Sequence, residues 1–216
     1  PRKLATQSAP VLLTPQIAGG FIGHAISALF GGSLYRKTSF LLDSMGKPVF
    51  APLVDIVDDP FIAQAYASSP FDQEGVTCQR RSIIEKGVVR GYFLSAYSAR
   101  KLGMQSTGNA GGNHNLLVTP TMRGDTAVLA RQMGRGLVVT ELMGQGVNPV
   151  TGDYSRGAAG FWVEGGEIAY PVSEITIAGN LLDLYQRIVA IGDDIDRRGS
   201  KLVGSLLIES MQIAGT

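Results

Sequence analysis

The stretch from Gly134 to Pro171, GRGLVVTELMGQGVNPVTGDYSRGAAGFWVEGGEIAYP, constrains the fold more than any other part of the chain. It opens with an apolar, strand-like run, Leu137-Val138-Val139-Thr140. A polar segment spaced by Gly144, Gly146, Gly152, Gly157 and Gly160 follows, and then the only tryptophan, Trp162, and a hairpin signal at Gly165-Gly166. Glycine inside a strand pattern marks a bulge or a place where another backbone comes close. The stretch is therefore expected to be a recognition surface that the rest of the chain supports. Glycine makes up 28 of 216 residues, roughly twice the usual share of about 7%. That excess points to many tight turns and an irregular, strand-rich architecture.

Before this stretch, Val11-Leu12-Leu13 reads as a short strand. Thr14 offers an N-cap hydroxyl and Pro15 suits the first helical position. Apolar residues at Ala18, Phe21, Ile22, Ala25, Ile26 and Leu29 predict an amphipathic helix from Pro15 to Phe30, ended by Gly31-Gly32. Ser33 to Phe40 reads as a polar surface loop, and Val49-Phe50 and Val54-Ile56 as short strands between turns. Val76 to Leu94 reads as a hairpin with a three-residue loop, Glu85-Lys86-Gly87. Ser95 to Leu102 is a short helix stopped by Gly103, and Gly108 to Asn115 is too rich in glycine and asparagine for regular structure. Asp125 caps a helix through Met133, with Gly134 as its stop. Ile175-Thr176-Ile177 is a strand, Asn180 caps a helix with Leu181, Leu184, Tyr185 and Ile188 on one face, and Val203–Ile208 and Met211–Ile213 close the chain as strands. The expected fold class is α+β: a mainly antiparallel β-sheet or partly closed barrel with three or four flanking helices.

Composition excludes several function classes. A net charge of +1, with Arg36-Lys37, Arg80-Arg81 and Arg197-Arg198 scattered among acids, gives no cationic stripe for nucleic acid. The single cysteine, Cys78, rules out an internal disulfide and fits a reducing cytoplasm. No window reaches the roughly 18 apolar residues of a membrane span, and no signal-peptide pattern opens the chain. The chain starts Pro1-Arg2-Lys3 without an initiator methionine, which points to a fragment or a processed product.

Tests for self-sufficient chemistry fail one by one. Gly144-x-Gly146 begins like a dinucleotide fingerprint, but Pro149 takes the third glycine position and no helix follows. The Gly108–Gly112 loop lacks the Gly-Lys-Ser/Thr of a phosphate-binding loop. Ser155 sits in a glycine spacing that misses the nucleophile elbow. His24 has no partner ligand on the following turns, so a helix-flank or core histidine is the plainer reading. His114, in the glycine/asparagine loop, is the better candidate for a functional polar contact, with loop solvation as the alternative. Cys78 has no histidine near it in sequence and reads as structural. Asp193, Asp194 and Asp196 lack the ligand spacing of a calcium loop and read as a solvated turn.

The residues carry a family resemblance more clearly than they carry chemistry. Thr140-Glu141-Leu142-Met143-Gly144-Gln145-Gly146, then Thr151 to Glu164 (TGDYSRGAAGFWVE), then Ile175 to Leu181 (ITIAGNL) closely resemble the PmbA (TldE) branch of the TldD/PmbA proteins. So do Gly32 to Asp43 (GSLYRKTSFLLD) and Tyr97 to Gly103 (YSARKLG). The match covers nearly the whole chain. Family members are about twice this length, so residues 1–216 are expected to be the C-terminal domain of a subunit whose N-terminal domain is missing here.

The resemblance implies a cytoplasmic metallopeptidase system that trims or degrades peptides and unfolded proteins and was once described as a modulator of DNA gyrase. Its active member, TldD, carries a His-Glu-x-x-x-His helix and a zinc-binding cysteine near the C-terminus. Here His24 stands where the first histidine would, Ala25 replaces the glutamate, Leu29 replaces the second histidine, and residues 198–216 hold no cysteine. The resemblance thus implies a non-catalytic subunit with no cofactor of its own, and zinc in its partner. The expected partners are a TldD-type zinc subunit or a second copy, with extended peptides as substrates and neither nucleic acid nor membrane. Gly144, Gln145, Gly146, Asp153, Tyr154, Ser155, Arg156 and His114 are the candidate peptide contacts, through pairing with a sheet edge. A homodimeric scaffold without protease activity, and a gyrase or DNA-associated regulator, are the alternatives.

Overall fold

The structure, a computed structural model, describes residues 1–215. The strand expected at Val11–Leu13 begins earlier, as β1 (Gln7–Leu13). It leads straight into α1 (Pro15–Ala28), where Thr14 is extended and Pro15 opens the helix, although the Thr14 hydroxyl makes no capping bond. Gly31-Gly32 does not simply end this helix. It starts a second one, α2 (Gly31–Tyr35), so the first part of the expected Ser33–Phe40 loop is helical. A β-carbon on Gly31 would overlap the Ser98 hydroxyl and the Leu94 side chain, and this close packing draws the chain into a new turn.

Val49-Phe50 forms no strand; its amides donate instead to Gly87 O. The next strand, β2 (Ile56–Asp59), starts where the expected Val54–Ile56 strand was to end. The hairpin of β3 (Arg81–Glu85) and β4 (Val88–Val89) turns on two residues, not three, because Glu85 pairs with Val88. Lys86 at φ 48° and Gly87 at φ 78° supply the two left-handed residues that such a turn requires. Next come α3 (Ala96–Leu102), with a Ser95/Ser98 capping box and Gly103 as its left-handed stop, and β5 (Asn115–Val118). In α4 (Thr126–Met133), Asp125 caps Val128 N and Gly134 ends the helix, as expected.

The opening stretch becomes β6 (Gly136–Met143), β7 (Asp153–Glu164) and the start of β8 (Glu167–Asn180), with Gly165 and Gly166 both at positive φ in the hairpin turn. Asn180 caps α5 (Leu181–Gln186), while Ile188, expected on that helix, opens β9 (Ile188–Ile191). The C-terminal strands divide as β10 (Lys201–Leu202) and β11 (Leu206–Ala214).

Two sheets result. The larger has the order β1-β6-β7-β8-β11-β9, and β1 also pairs with β11, which closes β1, β6, β7, β8 and β11 into a five-stranded barrel. One edge of β11 is shared: Leu206–Ile208 pair with β9 and Gln212–Ala214 with β8. The smaller sheet has the order β10-β5-β2-β3-β4. These mixed sheets and flanking helices are the expected α+β class with a closed barrel; α2 raises the helix count among the described residues to five.

Alternation along β1 explains the layering. Val11 and Leu13 face the main core with Phe21, Ile22, Ala25, Ile26 and Leu29 of α1, and that core continues into Ile56, Ile84, Leu116 and Val118 of the smaller sheet. Leu12 faces the opposite way and packs with Val138, Val163 and Leu129 of α4. Helix α1 therefore lies where barrel and smaller sheet share one core. Asp194 corrects the solvated-turn reading: it accepts from Ser205 N (2.8 Å), Ser205 Oγ (2.6 Å) and Thr126 N (3.0 Å), pinning the start of α4 to the strand region.

Candidate functional site

The segment between β6 and β7 folds back along the ladder it leaves. Asn148 N donates to Asp153 O at 2.8 Å and Ser155 N to Gly146 O at 2.6 Å. This fold-back leaves an open cleft of about 550 Å3 that brings together Gln145, Gly146, Asp153, Tyr154 and Ser155. Behind it lies a cavity of about 90 Å3 walled by His24, Ser33, Thr38 and Phe40, and it shares Val147 and Pro149 with the cleft. The glycine-rich loop and α1 thus meet at His24.

The glycines here have structural causes. A β-carbon on Gly146 would run into the Ser155 carbonyl, and one on Gly160 into the Val138 carbonyl. The backbone that comes close at these two positions is the chain's own. The strand edge nonetheless stays open farther along: β1 pairs with β6 only as far as Val139, so among the described residues Thr140–Met143 has β7 as its one strand neighbour.

Alternation on β7 sorts the candidates. Asp153 and Ser155 face solvent, while Tyr154 and Arg156 turn toward α1. Asp153 accepts from Thr151 Oγ1 at 2.6 Å and Asn180 Nδ2 at 3.2 Å, bonds that hold its carboxyl below the ordinary carboxylate range and tie it to the loop. The Tyr154 ring lies edge-on to Phe21 (5.8 Å) and to His24 (5.9 Å). Its hydroxyl is buried without a hydrogen-bond partner among the described residues, and burial pushes its pKa up to about 12. The Arg156 guanidinium donates from Nε to Met143 O at 3.3 Å. Lys201 lies along α1: a β-carbon on Gly23 would sit 3.6 Å from its ammonium nitrogen and 3.8 Å from the Lys201 β-carbon if placed on Gly19. Neither cation makes an ion pair among the described residues. His24 is half-buried, and burial first, then Arg156 and Lys201, lowers its pKa.

These residues do not suit zinc. The ion needs several anionic or neutral donors on one open face, whereas the charged neighbours of His24 are cations. Ala25 and Leu29 are both fully buried in the core, so side chains at those positions point away from the open flank of His24. The exposed flank belongs instead to Gly20, where a β-carbon would meet nothing within 4 Å.

A family model described as the PmbA/TldA metallopeptidase C-terminal domain matches residues 6–215. The chain belongs to the PmbA/TldD family. It is 54% identical over 215 residues to metalloprotease PmbA of Escherichia coli O157:H7, covering 100% of this chain and 48% of that protein. It is 53% identical to the metalloprotease PmbA homolog of Haemophilus influenzae, with the same coverage. The chain therefore spans about half the length of the curated relatives it matches. A solved structure of a candidate modulator of DNA gyrase from Bacteroides thetaiotaomicron superposes with a TM-score of 0.95 at 32% identity, covering 100% of this chain and 48% of that one.

The family match spans the β6–β7 cleft, but His114 does not join that cleft. His114 lines a separate cleft of about 410 Å3, and loop solvation does not describe it, since it is only 7% exposed. Its Nδ1 lies 3.1 Å from Asp58 Oδ2 and its Nε2 lies 3.1 Å from Cys78 Sγ, across 36 positions of sequence. Asp58 accepts only, so Nδ1 carries the proton and the thiol donates to Nε2. The order Cys-His-Asp is that of an activated thiol. Here, however, Cys78 is 1% exposed, and burial, reinforced by Asp72 and Asp58, raises its pKa. The thiol stays protonated and inaccessible, and the chain of bonds serves to lock the glycine loop, which Asn109 also ties to Asp58 at 3.0 Å. Cys78 is structural, as its sequence setting suggested; the histidine beside it was invisible there.

Proposed function

We propose that this chain is the C-terminal half of a PmbA/TldE-like subunit that holds no zinc of its own. In this reading it joins a zinc-bearing TldD-type subunit in the cytoplasm and lines the channel by which extended peptides reach the partner's metal. The observation that carries the reading is the surroundings of His24: two cations and the open flank of α1 where a zinc helix needs ligands. The burial of Ala25 and Leu29 also favours a different register for the degenerate motif. Counted so that His24 is the second histidine, the first histidine falls on Gly19 and the glutamate on Gly20, both on the accessible side of α1. Either register leaves His24 as the one remaining ligand.

Peptide would enter as an added strand on the open Thr140–Met143 edge of β6, which runs through Gly144 into the cleft that holds Gln145, Gly146 and Ser155. The test is co-expression of the full-length protein with a zinc-bearing relative, followed by sizing and a peptide-cleavage assay. A stable heteromer with cleavage, and none from this subunit alone, supports the proposal. A homodimer that ignores the zinc-bearing relative replaces it with the scaffold reading. A DNA-associated regulator, which the name of the Bacteroides relative suggests, would instead show binding that collapses with salt.

A further inference from the structure

The glycine loop has an open hollow on each side. One is a pocket of about 370 Å3 walled by Phe30, Tyr35, Phe93 and Tyr97, with Asn109 and Gly111 on the loop side. The other is the cleft at His114, and Gly111 and Gly112 line both. The pocket's aromatics form two edge-on pairs, Phe30–Phe93 with centroids 5.3 Å apart and Tyr35–Tyr97 5.7 Å apart. Phe93 is buried, but Tyr97 is 50% exposed, so much of its ring is free for contact. The loop wall is held firmly: buried Asn109 donates to Asp58 Oδ2 at 3.0 Å and accepts from Arg81 Nη2 at 2.8 Å. Ala110 N donates to Asp72 Oδ2 at 2.9 Å, and Gly112 N to Asn109 O at 3.1 Å. Gly111 between them is exposed, and its own N–H and C=O make no hydrogen bond among the described residues.

We propose that this pocket binds an aromatic side chain of an extended peptide whose backbone crosses Gly111 and Gly112. A planar ring in the pocket meets both edge-on pairs in the offset or edge-to-face geometries that aromatic rings prefer. A basic side chain is disfavoured by the cations already on these rings. Arg36 Cζ lies 5.2 Å from the Tyr35 centroid and Lys101 Nζ 5.6 Å from that of Tyr97, and neither makes an ion pair among the described residues. The nearby carboxylates are engaged, Asp58 with Asn109 and Glu74 with Ala96 N. The free N–H and C=O of Gly111 offer a passing backbone one residue of strand-like pairing. A β-carbon on Gly112 would meet nothing within 4 Å, so the loop is bare where the peptide crosses. Beyond it, the cleft with exposed Phe71 takes the residues that follow. The buried Cys78–His114–Asp58 chain, inert in itself, thereby fixes the wall of a binding pocket. The inference rests on the peptide reading for the class of ligand, but the pocket and the β6–β7 cleft have no residue in common.

NMR titration of the 216-residue protein reads the site residue by residue. The probe is an acetylated, amidated pentapeptide with one phenylalanine between alanines. It is expected to shift the Gly111 and Gly112 amides and the Tyr35 and Tyr97 ring signals on one binding curve. Replacing its phenylalanine with alanine or lysine is expected to weaken binding about tenfold or more. Tyr97→Ala should weaken the phenylalanine probe about tenfold, whereas Tyr97→Phe, which keeps the ring, should bind as the parent does. Unchanged signals from the barrel strands report that both variants are folded. Equal binding of the all-alanine probe, or parental affinity in Tyr97→Ala, refutes the pocket. Equal binding of the lysine probe overturns the assignment to an aromatic side chain. No shift at Gly111 with millimolar probe refutes the site, and if Thr140–Met143 shift instead, the β6 edge alone takes the peptide. Shifts at Gly111 with the β6 edge silent uphold the site even though the β6 reading fails.

Discussion

Two tyrosines pack edge-on against the same phenylalanine, with ring centroids 5.0 Å (Tyr185) and 5.8 Å (Tyr154) from Phe21. Both are essentially buried, and they differ in what the hydroxyl meets. Tyr185 Oη donates to Phe21 O at 2.9 Å, whereas Tyr154 Oη has no partner among the described residues. The same one-atom deletion should therefore have opposite signs at the two positions. Tyr185→Phe removes a satisfied neutral bond and should destabilise by about 1 kcal/mol. Tyr154→Phe removes a desolvated, unpaired hydroxyl worth about 1–3 kcal/mol of penalty, offset by about 0.5 kcal/mol for the small void. The net expectation is a gain of about 1 kcal/mol, or a melting point about 2–4 °C higher for a chain of this size. Urea unfolding of the two variants beside the parent reads both signs, with unchanged m-values as the check on two-state behaviour. A Tyr154→Phe loss comparable to that of Tyr185→Phe would mean instead that the Tyr154 hydroxyl is bonded in the free protein.

Three further outcomes follow from named contacts. Gly146→Ala should destabilise by about 1–3 kcal/mol, because its β-carbon meets the Ser155 carbonyl, while Gly20→Ala, helical and open, should stabilise by about 1 kcal/mol; thermal melts distinguish the two. Asp194→Ala strips partners from fully buried Ser205 and from Thr126 N, and should cost about 3 kcal/mol in denaturant titration. Because the folded pKa of His24 is lowered, its contribution to stability is intact above the unfolded value of about 6.5 and is lost as pH falls through the folded value. His24→Gln should therefore flatten the stability loss of the parent below pH about 6.5, measured by unfolding at a series of pH values.

Local chemistry made much of this fold readable. Asp125 and Asn180 as caps, Gly103 and Gly134 as stops, and the Gly165-Gly166 turn are decided within a few residues of themselves, and all behave as their types suggest. Barrel closure was not readable in the same detail, since Gln7 pairs with Ile213 across almost the whole chain. Nor was the division of β11 between two partners, which no periodicity records. At the candidate site, the loop from Gly144 to Ser155 was legible because its glycines and its motif are contiguous. The cations were not: Lys201 reaches α1 from β10, and Arg156 turns toward α1 only because β7 alternates in phase with Tyr154. The Cys78–His114–Asp58 chain joins strand β2 to two loops 36 positions apart, a juxtaposition that no local sequence pattern records.

The central claim is that this subunit carries no catalytic zinc, and metal analysis of the purified full-length protein beside its peptidase activity tests it most directly. Substoichiometric zinc and no peptide cleavage are expected from this subunit alone, with both supplied when a zinc-bearing relative is added. One zinc per chain, together with cleavage that a chelator abolishes, would contradict it.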